Sequence, residues 1–575
     1  MSRTILGVSA FYHDSAAAIV RDGEIVAAAQ EERFTRIKGD ASFPHNAIDY
    51  CLRACKLSIE EVDDIVFYEN PLLKFERLLQ SQHWAVPRSL VAFLHAMPKW
   101  LTENLWMEKG IAKELGVKRK KILFRDHHIS HAAAAFYPSP FERAAILTVD
   151  GVGEWSTAAW GVGEGNQIKL MKHMAYPNSL GLLYSAFTYY CGFKINSGEY
   201  KLMGLAPYGE PRFADLIKRE LICVADDGSF KMNQKYFSYT HGVRTINKAF
   251  EALFGKPARK PESEITQHDM DIAASIQSVT NEILLKMARH IRQETGCENL
   301  VLAGGVALNV TSMGEIQRKA GFRRVWIQPA AGDAGGALGA ALSVWYEQND
   351  RPVPTGDAMQ GAFLGPSIAI KNTKKDDAAL EALGGVWETF ESGELAQRVA
   401  ELIARGKIVG VARRRMEWGP RALGNRSILA NAQLEDTQQK LNEIVKRRES
   451  FRPFAPMVLK EDAADYFDME GASPYMLFTC PVREGAGIPA VTHVDGSARV
   501  QTVDRDNAFS YNVLRALKRL TGCGVMVNTS FNVRGEPIVN TAQDAYRCFM
   551  DSGLDYAAIG NRLFDKAKQR RDDND

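Results

Sequence analysis

TILGVSAFYHDSAAAIVRDGEIVAAAQ, residues 4–30, is the stretch on which the fold turns. Apolar and β-branched residues run to a polar turn at His13-Asp14-Ser15; a second apolar run follows, and Asp22-Gly23 turns it into a third. Asp-Gly between apolar runs signals a hairpin, because glycine takes φ > 0 without a steric penalty. Residues 144–171, AAILTVDGVGEWSTAAWGVGEGNQIKLM, repeat the scheme: a strand ending in Asp150, a Gly-rich turn, a strand, a second Gly-rich turn and a third strand. Helical sequence follows each copy, at residues 47–57 and 271–295. The pair predicts a duplicated α/β domain with a cleft between its halves.

Farther on, NLVLAGGVALNVTSMGEIQRKAG (299–321) runs an apolar strand into Gly304-Gly305 and a helix with Asn309 in its first turns. Backbone N–H groups at such a junction form an anion site, so three glycine turns in one inferred fold point to a nucleotide. Residues 71–110 carry helical spacing with Trp84, Trp100 and Trp106 and predict an inserted helical pair. Core packing or a dimer face is the simpler reading of that pair, and an acceptor-site lid the functional one. Residues 350 to about 392 are rich in Pro, Gly and charge and read as a connection. The predicted boundaries are a first domain at 1–355, a linker at 356–392 and a second domain at 393–575. The last ten residues, KAKQRRDDND, predict a disordered tail.

A chain of 575 residues is too long for one core. With 46% hydrophobic residues, 24% charged and a net charge of +2, its composition is that of an ordinary globular protein. That balance shows no nucleic-acid-coating or membrane-steered surface, so neither is expected as a partner. No apolar run reaches the roughly 18 residues of a membrane helix, and His13-Asp14 interrupts any signal-peptide core. The eight cysteines are scattered, and Cys51 and Cys55, without a companion CxxC, read as buried thiols. A reducing, cytoplasmic setting is expected.

In DHHISHAAAAF, His127 and His131 stand at i and i+4. With Asp126 as helix cap, both imidazoles share one face and can share a metal. The HExxH glutamate is missing, so a zinc-protease reading loses its base. Asp150 closes a strand and Asp333 sits at a Gly-rich strand-to-helix junction, PAAGDAGGALGAAL. Two imidazoles and two carboxylates suit iron, zinc or manganese alike.

Ten motifs in order now resemble a known family: YHDSAA, EERFTR, HHISHAAAAF, VDGVGE, KLMGLAPYG, AGGVALN, GDAGGALGAA, GPRALGNRSILA, KRRESFRPFAP and NTSFNVRGEPIV. The family is that of the O-carbamoyltransferases of antibiotic tailoring and nodulation-factor synthesis, and the resemblance covers nearly the whole chain. It implies an actin/sugar-kinase-like first domain, similar to the tRNA threonylcarbamoyl transferase, and a C-terminal α/β domain that forms carbamoyl-adenylate. It implies iron on His127, His131, Asp150 and Asp333. It also implies nucleotide or carbamoyl-adenylate contacts from His13, Lys38, Gly151, Gly153, Glu154, Lys201, Gly305 and Asn309. His13 is further a candidate to receive the acceptor hydroxyl's proton, or else to orient a phosphate. Residues 71–110 and 231–265 fit the family pattern least, and they are where acceptor recognition is expected.

Residues 405–455 hold twelve Lys or Arg against five Asp or Glu. Carbamoyl phosphate and ATP are polyanions whose joining needs fixed cations, arginine above all. Arg421 and Arg534, each among glycines and prolines that shape a loop, and Lys446, Arg452, Arg499 and Asn532 are candidates, and the resemblance assigns carbamoyl phosphate and ATP to them. Arg413 to Arg415 and Arg447-Arg448 read instead as a solvated basic face. The expected activity is ATP-dependent: carbamoyl-adenylate forms in the second domain and is transferred in the first to a sugar or polyketide-type hydroxyl. Mg²⁺ is a candidate companion of ATP, and a second copy of the chain a candidate partner. A tRNA threonylcarbamoylation enzyme and a non-catalytic ATP-binding protein of the same fold are the alternatives.

Overall fold

A computed structural model describes residues 2–242, 244–370 and 374–569. They form two compact units, Met1–Ala28 with Ala41–Ala358 and Ala29–Asp40 with Met359–Asp575. The first unit opens with β1 (Thr4–Ser9), β2 (Ala16–Arg21) and β3 (Glu24–Gln30), joined by β4 (Asp64–Phe67) and β5 (Ile122–Phe124) in the order β3-β2-β1-β4-β5. β1 is antiparallel to β2 and parallel to β4, and β4 is parallel to β5. A second sheet is built from β6 (Arg143–Val149), β7 (Ser156–Glu164) and β8 (Gln167–Ala175). After the small hairpin of β9 (Ile222–Val224) and β10 (Phe230–Met232), it is completed by β11 (Asn299–Ala303) and β12 (Arg324–Ile327). Its order is β8-β7-β6-β11-β12, with β6 antiparallel to β7 and parallel to β11. The duplicated, actin/sugar-kinase-like arrangement is present strand for strand.

The helix that follows the fifth strand is alike in both copies. His127–Phe136 follows β5 and lies on β6 and β11, whereas Asp333–Tyr346 follows β12 and lies on β1, β2 and β4. The two helices pack on each other. Their small residues allow it: a Cβ on Gly339 would sit 1.8 Å from the Ser130 carbonyl oxygen. His127 and Asp333 thus begin the two central helices. The helical pair expected over 71–110 is present as Pro71–Trp84 and Leu90–Thr102, followed by a third helix, Met107–Leu115. Cys51 and Cys55 are buried thiols, as expected. Among the described residues no helix is long and apolar enough to cross a membrane.

The second unit holds β13 (Ser367–Ile368), β14 (Trp387–Thr389), β15 (Val409–Ala412), β16 (Arg414–Arg415), β17 (Arg426–Asn431) and β18 (Ala455–Leu459). It continues with β19 (Thr479–Pro481), β20 (Ser497–Arg499), β21 (Gln501–Val503), β22 (Val525–Ser530), β23 (Tyr556–Ile559) and β24 (Arg562–Asp565). Eight of these make one sheet, β14-β24-β23-β15-β17-β22-β18-β21. Successive residues of its central strands alternate between two cores: Ile428 and Ala430 on one side, Leu429 on the other with helices Ser392–Ala404 and Ala508–Thr521. Much of the stretch read as a connection, 356–392, carries β13, β14 and the helix Lys374–Glu381. Strands of two and three residues show too little alternation to be read from sequence. Of the charged tail, Lys566–Lys568 form one 3₁₀ turn; residues 570–575 lie outside the described residues.

Candidate functional site

His127 and His131 are buried on one face of the first central helix, with their Nε2 atoms 3.1 Å apart. Asp150 Oδ2 lies 2.8 Å from His127 Nε2 and 3.7 Å from His131 Nε2; Asp333 Oδ1 lies 3.8 Å from each. One ligand atom from each of the four residues falls within 4.8 Å of all the others. Ligands about 2.1 Å from one divalent ion stand roughly 3–3.5 Å from their neighbours, so the donor set and spacing fit a metal. The other imidazole nitrogens, both Nδ1 atoms, are buried without a hydrogen-bond partner, so the rings are held by packing and by what they share at Nε2. Burial disfavours a charged His127, but Asp150 and Asp333 outweigh it and raise its pKa to about 9. Those same imidazoles hold the Asp150 carboxyl well below the usual range against its burial.

The turns around this cluster explain why its ligands are rigid. Asp150 Oδ1 accepts a hydrogen bond from Gly305 N–H at 2.9 Å, and a side chain on Gly305 would meet that same oxygen. Gly304 holds φ +94° with Val149 backbone 2.2 Å from where its Cβ would be, so only glycine fits. Asp126 occupies the cap position of the first central helix but makes no side-chain cap bond. Glu154 makes it instead: its carboxylate accepts His127 N–H at 3.0 and 3.1 Å and Asn70 N–H at 2.7 Å. Burial pushes the Glu154 carboxyl up. His128, between the two ligands, bonds Thr148 Oγ1 and the Ser156 carbonyl, and burial drops its pKa to about 3, so it stays neutral.

His13 stands at the rim, Nδ1 3.1 Å from Asp14 and Nε2 3.8 Å from Asp333. Burial opposes its charged form, yet Asp333 and Asp14 raise its pKa to about 9. Gly151 has open space on its Cβ side, and Gly153 lies against His127. Asn309 caps helix Val310–Lys319 through Ser312 N–H and pairs with Gln277, so its amide is already engaged. Lys201 lies farther along, its Nζ 5.7 Å from the Phe193 ring.

The second unit holds a cluster of opposite character. Lys446 is buried, and its Nζ donates to the Asn532 carbonyl and Oδ1, both at 2.8 Å, and to the Ser530 carbonyl. Burial and the nearby Arg448, Arg452 and Lys38 hold its pKa well below the usual lysine value. Arg499 is lowered likewise by burial and by Arg421, Arg448 and Arg452. Cations so placed repel one another unless an anion lies among them. Of the expected residues, Arg421, Lys446, Arg452, Arg499 and Asn532 come together here; Arg534 is exposed on the loop that carries Asn532. Lys38 belongs to the second unit and contributes to the lowering at Lys446.

Residues 4–342 match the sequence profile described as Carbamoyltransferase N-terminus, and residues 400–566 match Carbamoyltransferase C-terminus. The chain belongs to the carbamoyltransferase family. Among its relatives are "Uncharacterized protein sll1178" of Synechocystis, 51% identical over 99% of this chain and 98% of that one, and "Nodulation protein NolNO" of Sinorhizobium fredii, 37% identical over 97% and 79%. A 3'-hydroxymethylcephem-O-carbamoyltransferase of Amycolatopsis lactamdurans is 29% identical over 78% of this chain and 82% of its own length.

This carbamoyltransferase also holds functional parts that sequence reasoning missed. Tyr68, at the end of β4, points its hydroxyl at Asp333 from 3.4 Å. Arg448 is no solvated side chain: it bonds Asn442 and lies 4.6 Å from the Phe454 ring. Arg413 is buried, stacked 4.0 Å from the Phe509 ring, with burial lowering its pKa to about 10. Only Arg414 and Arg447 of those runs stand fully exposed. Glu417 accepts the N–H groups of Leu423, Asn425 and Arg426, shaping the loop of Arg421. Arg33 donates to the Gly419 carbonyl on that loop, and Arg36 to Pro537 and Ile538 just after the Asn532 loop. A glutamate ahead of a Gly-Pro turn, and the arginines of EERFTR, were the available signals.

Proposed function

We propose that this carbamoyltransferase forms carbamoyl-adenylate in its second unit and transfers the carbamoyl group to a small-molecule hydroxyl in its first. The observation that carries the reading is the pair of sites, one an imidazole–carboxylate cluster and the other a cluster of half-buried arginines around the buried Lys446. In the second unit, water releases phosphate from carbamoyl phosphate and leaves carbamate. A carbamate oxygen then bonds the α-phosphorus of ATP as the bond to pyrophosphate breaks. Lys446, Arg421, Arg452 and Arg499 bind the phosphate oxygens of both substrates, and Asn532 fixes the Lys446 ammonium. Cations this close together gain most from charge-assisted bonds to the phosphate oxygens of those substrates.

The acceptor hydroxyl then bonds the carbamoyl carbon in the first unit, its proton is lost, and AMP leaves. A divalent ion, iron by family resemblance, would be held by His127, His131, Asp150 and Asp333 and would supply Lewis acidity to the carbamoyl oxygen. His13, 3.1 Å from Asp14 and 3.8 Å from Asp333, is placed at the rim either to orient an anionic oxygen or to receive the acceptor hydroxyl's proton. Gly151 leaves room beside Asp150 for a ligand to approach. The acceptor in this reading is a small-molecule alcohol, the class to which the hydroxymethyl group in the name of the Amycolatopsis relative belongs.

The test follows AMP and pyrophosphate separately. Pyrophosphate release should require carbamoyl phosphate and no acceptor, and AMP release should require an acceptor alcohol. Pyrophosphate release that ignores carbamoyl phosphate, or that appears only with tRNA present, would overturn the assignment.

A further inference from the structure

Ten of the twenty-one large apolar side chains that stand exposed in the described structure fall between Leu72 and Trp106. Helix Leu90–Thr102, LVAFLHAMPKWLT, is apolar almost all round yet buries only Met97. Val91 is 73% exposed, Leu94 63% and Trp84 60%. An apolar helix left this bare is covered in its working state. Side chains more than half exposed form a ridge and not a groove, which suits a broad, yielding surface better than a small ligand.

Charge selects the kind of surface. Residues 85–121 carry eight Lys or Arg against three Glu, although the whole chain is only +2. Arg119 pairs with Glu108 at 3.0 Å, and Lys121 donates to the Glu60 and Val62 carbonyls. Arg88, Lys99, Lys109, Lys113, Lys118 and Lys120 stay exposed to solvent. A second copy related by a two-fold axis would bring these like charges together; anionic headgroups would neutralise them. Exposed tryptophan and leucine beside lysine and arginine is the composition of helices that lie in a membrane interface.

We propose that the hairpin 71–106, together with the basic stretch 107–121 that follows it, docks this enzyme on an anionic lipid surface, with Trp84, Val91, Leu94 and Trp106 entering the headgroup region. The same hairpin reaches the metal cleft: Arg77 donates to the Gly153 carbonyl, and the Trp84 ring lies 5.9 Å from that of Trp155. Docking therefore sets the mouth of the cleft beside the lipid.

The test uses the full chain and vesicles of phosphatidylcholine alone or mixed with phosphatidylglycerol. Flotation should show binding to the mixed vesicles, weakened by salt, and little to the neutral ones. Val91→Ser combined with Leu94→Ser should cut the bound fraction roughly tenfold or more, with circular dichroism and pyrophosphate release unchanged because both side chains point into solvent. No binding to mixed vesicles at low salt overturns the proposal, as does binding that the double variant leaves intact. A dimer in light scattering that the double variant makes monomeric, with no vesicle binding, overturns it too and assigns the ridge to a second copy.

Discussion

The two clusters of charged side chains are opposite in kind and in construction. In the first unit, two carboxylates and two imidazoles from residues 127 to 333 meet because the fold is duplicated. Two central helices begin beside each other, and β6 delivers Asp150 between them. In the second unit, cations sit at the ends of short elements and on irregular loops, and the loop of Arg421 is held by amides and a carboxylate: Asn528 bonds the Ala422 carbonyl, Gln501 and Asn507 that of Leu423, and Glu417 three N–H groups. Regular elements suffice to fix a compact ion, whose demands are short distances in all directions. Extended polyanions need loops, and loops need stitching before they hold a shape.

The comparison breaks most visibly if the first site holds no metal. Asp333→Ala should lose bound metal and lower carbamoyl transfer a hundredfold or more, since outer partners alone are worth about 10–100-fold. Pyrophosphate release should persist. Elemental analysis finding equal metal in variant and parent would remove the assignment.

At the second site, Lys446→Met should lower pyrophosphate release by roughly ten- to a hundredfold, the worth of a charge-assisted contact to phosphate. In the absence of ligand, relief of repulsion from the neighbouring cations is set against the Asn532 and Ser530 acceptors losing their donor, so the net change in stability should stay within about 1–3 kcal/mol. The pH dependence of stability isolates the charge. Folding lowers the Lys446 pKa, so the unfolded chain binds the extra proton between the folded value and the ordinary one near about 10.4, and stability from this group rises with pH across that window. Added phosphate should flatten that slope. A parent protein that loses stability over this range relative to Lys446→Met contradicts the account.

Arg36→Ala should give a smaller effect, about tenfold in pyrophosphate release, from loss of charged hydrogen bonds to the Pro537 and Ile538 carbonyls. As a positioning residue it should raise KM for carbamoyl phosphate while metal content stays constant. An effect confined to kcat, or one on acceptor transfer alone, argues against that role.

How far the sequence disclosed these sites follows from their construction. The duplication was legible because strands of period two and Asp-Gly or Gly-x-Gly turns are local signals, and the metal quartet because its members end strands or begin helices. The segment 29–40 was not, because nothing local tells EERFTR to leave one unit for the other. Arg413 and Arg448 were misread as solvated, since a basic run looks alike whether it faces water or an aromatic ring. Lys38, carried by the segment 29–40, falls in the second unit, where its charge adds to the lowering at Lys446.

The smallest predicted effect concerns Glu154, where sequence and structure suggest different work. The family resemblance assigns it to the nucleotide, whereas its carboxylate accepts the N–H groups of Asn70 and His127 and so caps the helix that presents His127 and His131. Glu154→Gln keeps one acceptor oxygen but sets an amide N–H₂ against a backbone donor. Losing part of a buried cap should cost about 1 kcal/mol of stability. A shift at the first residue of that helix should also weaken the metal a few-fold. Affinity for ATP and AMP should not move, because no part of the carboxylate remains for them. Thermal unfolding, metal titration and nucleotide calorimetry on the one variant separate the roles. A lower nucleotide affinity with unfolding temperature and metal affinity unchanged would mean that Glu154 turns toward the nucleotide when it binds, and that the first site, like the second, is shaped by its anion.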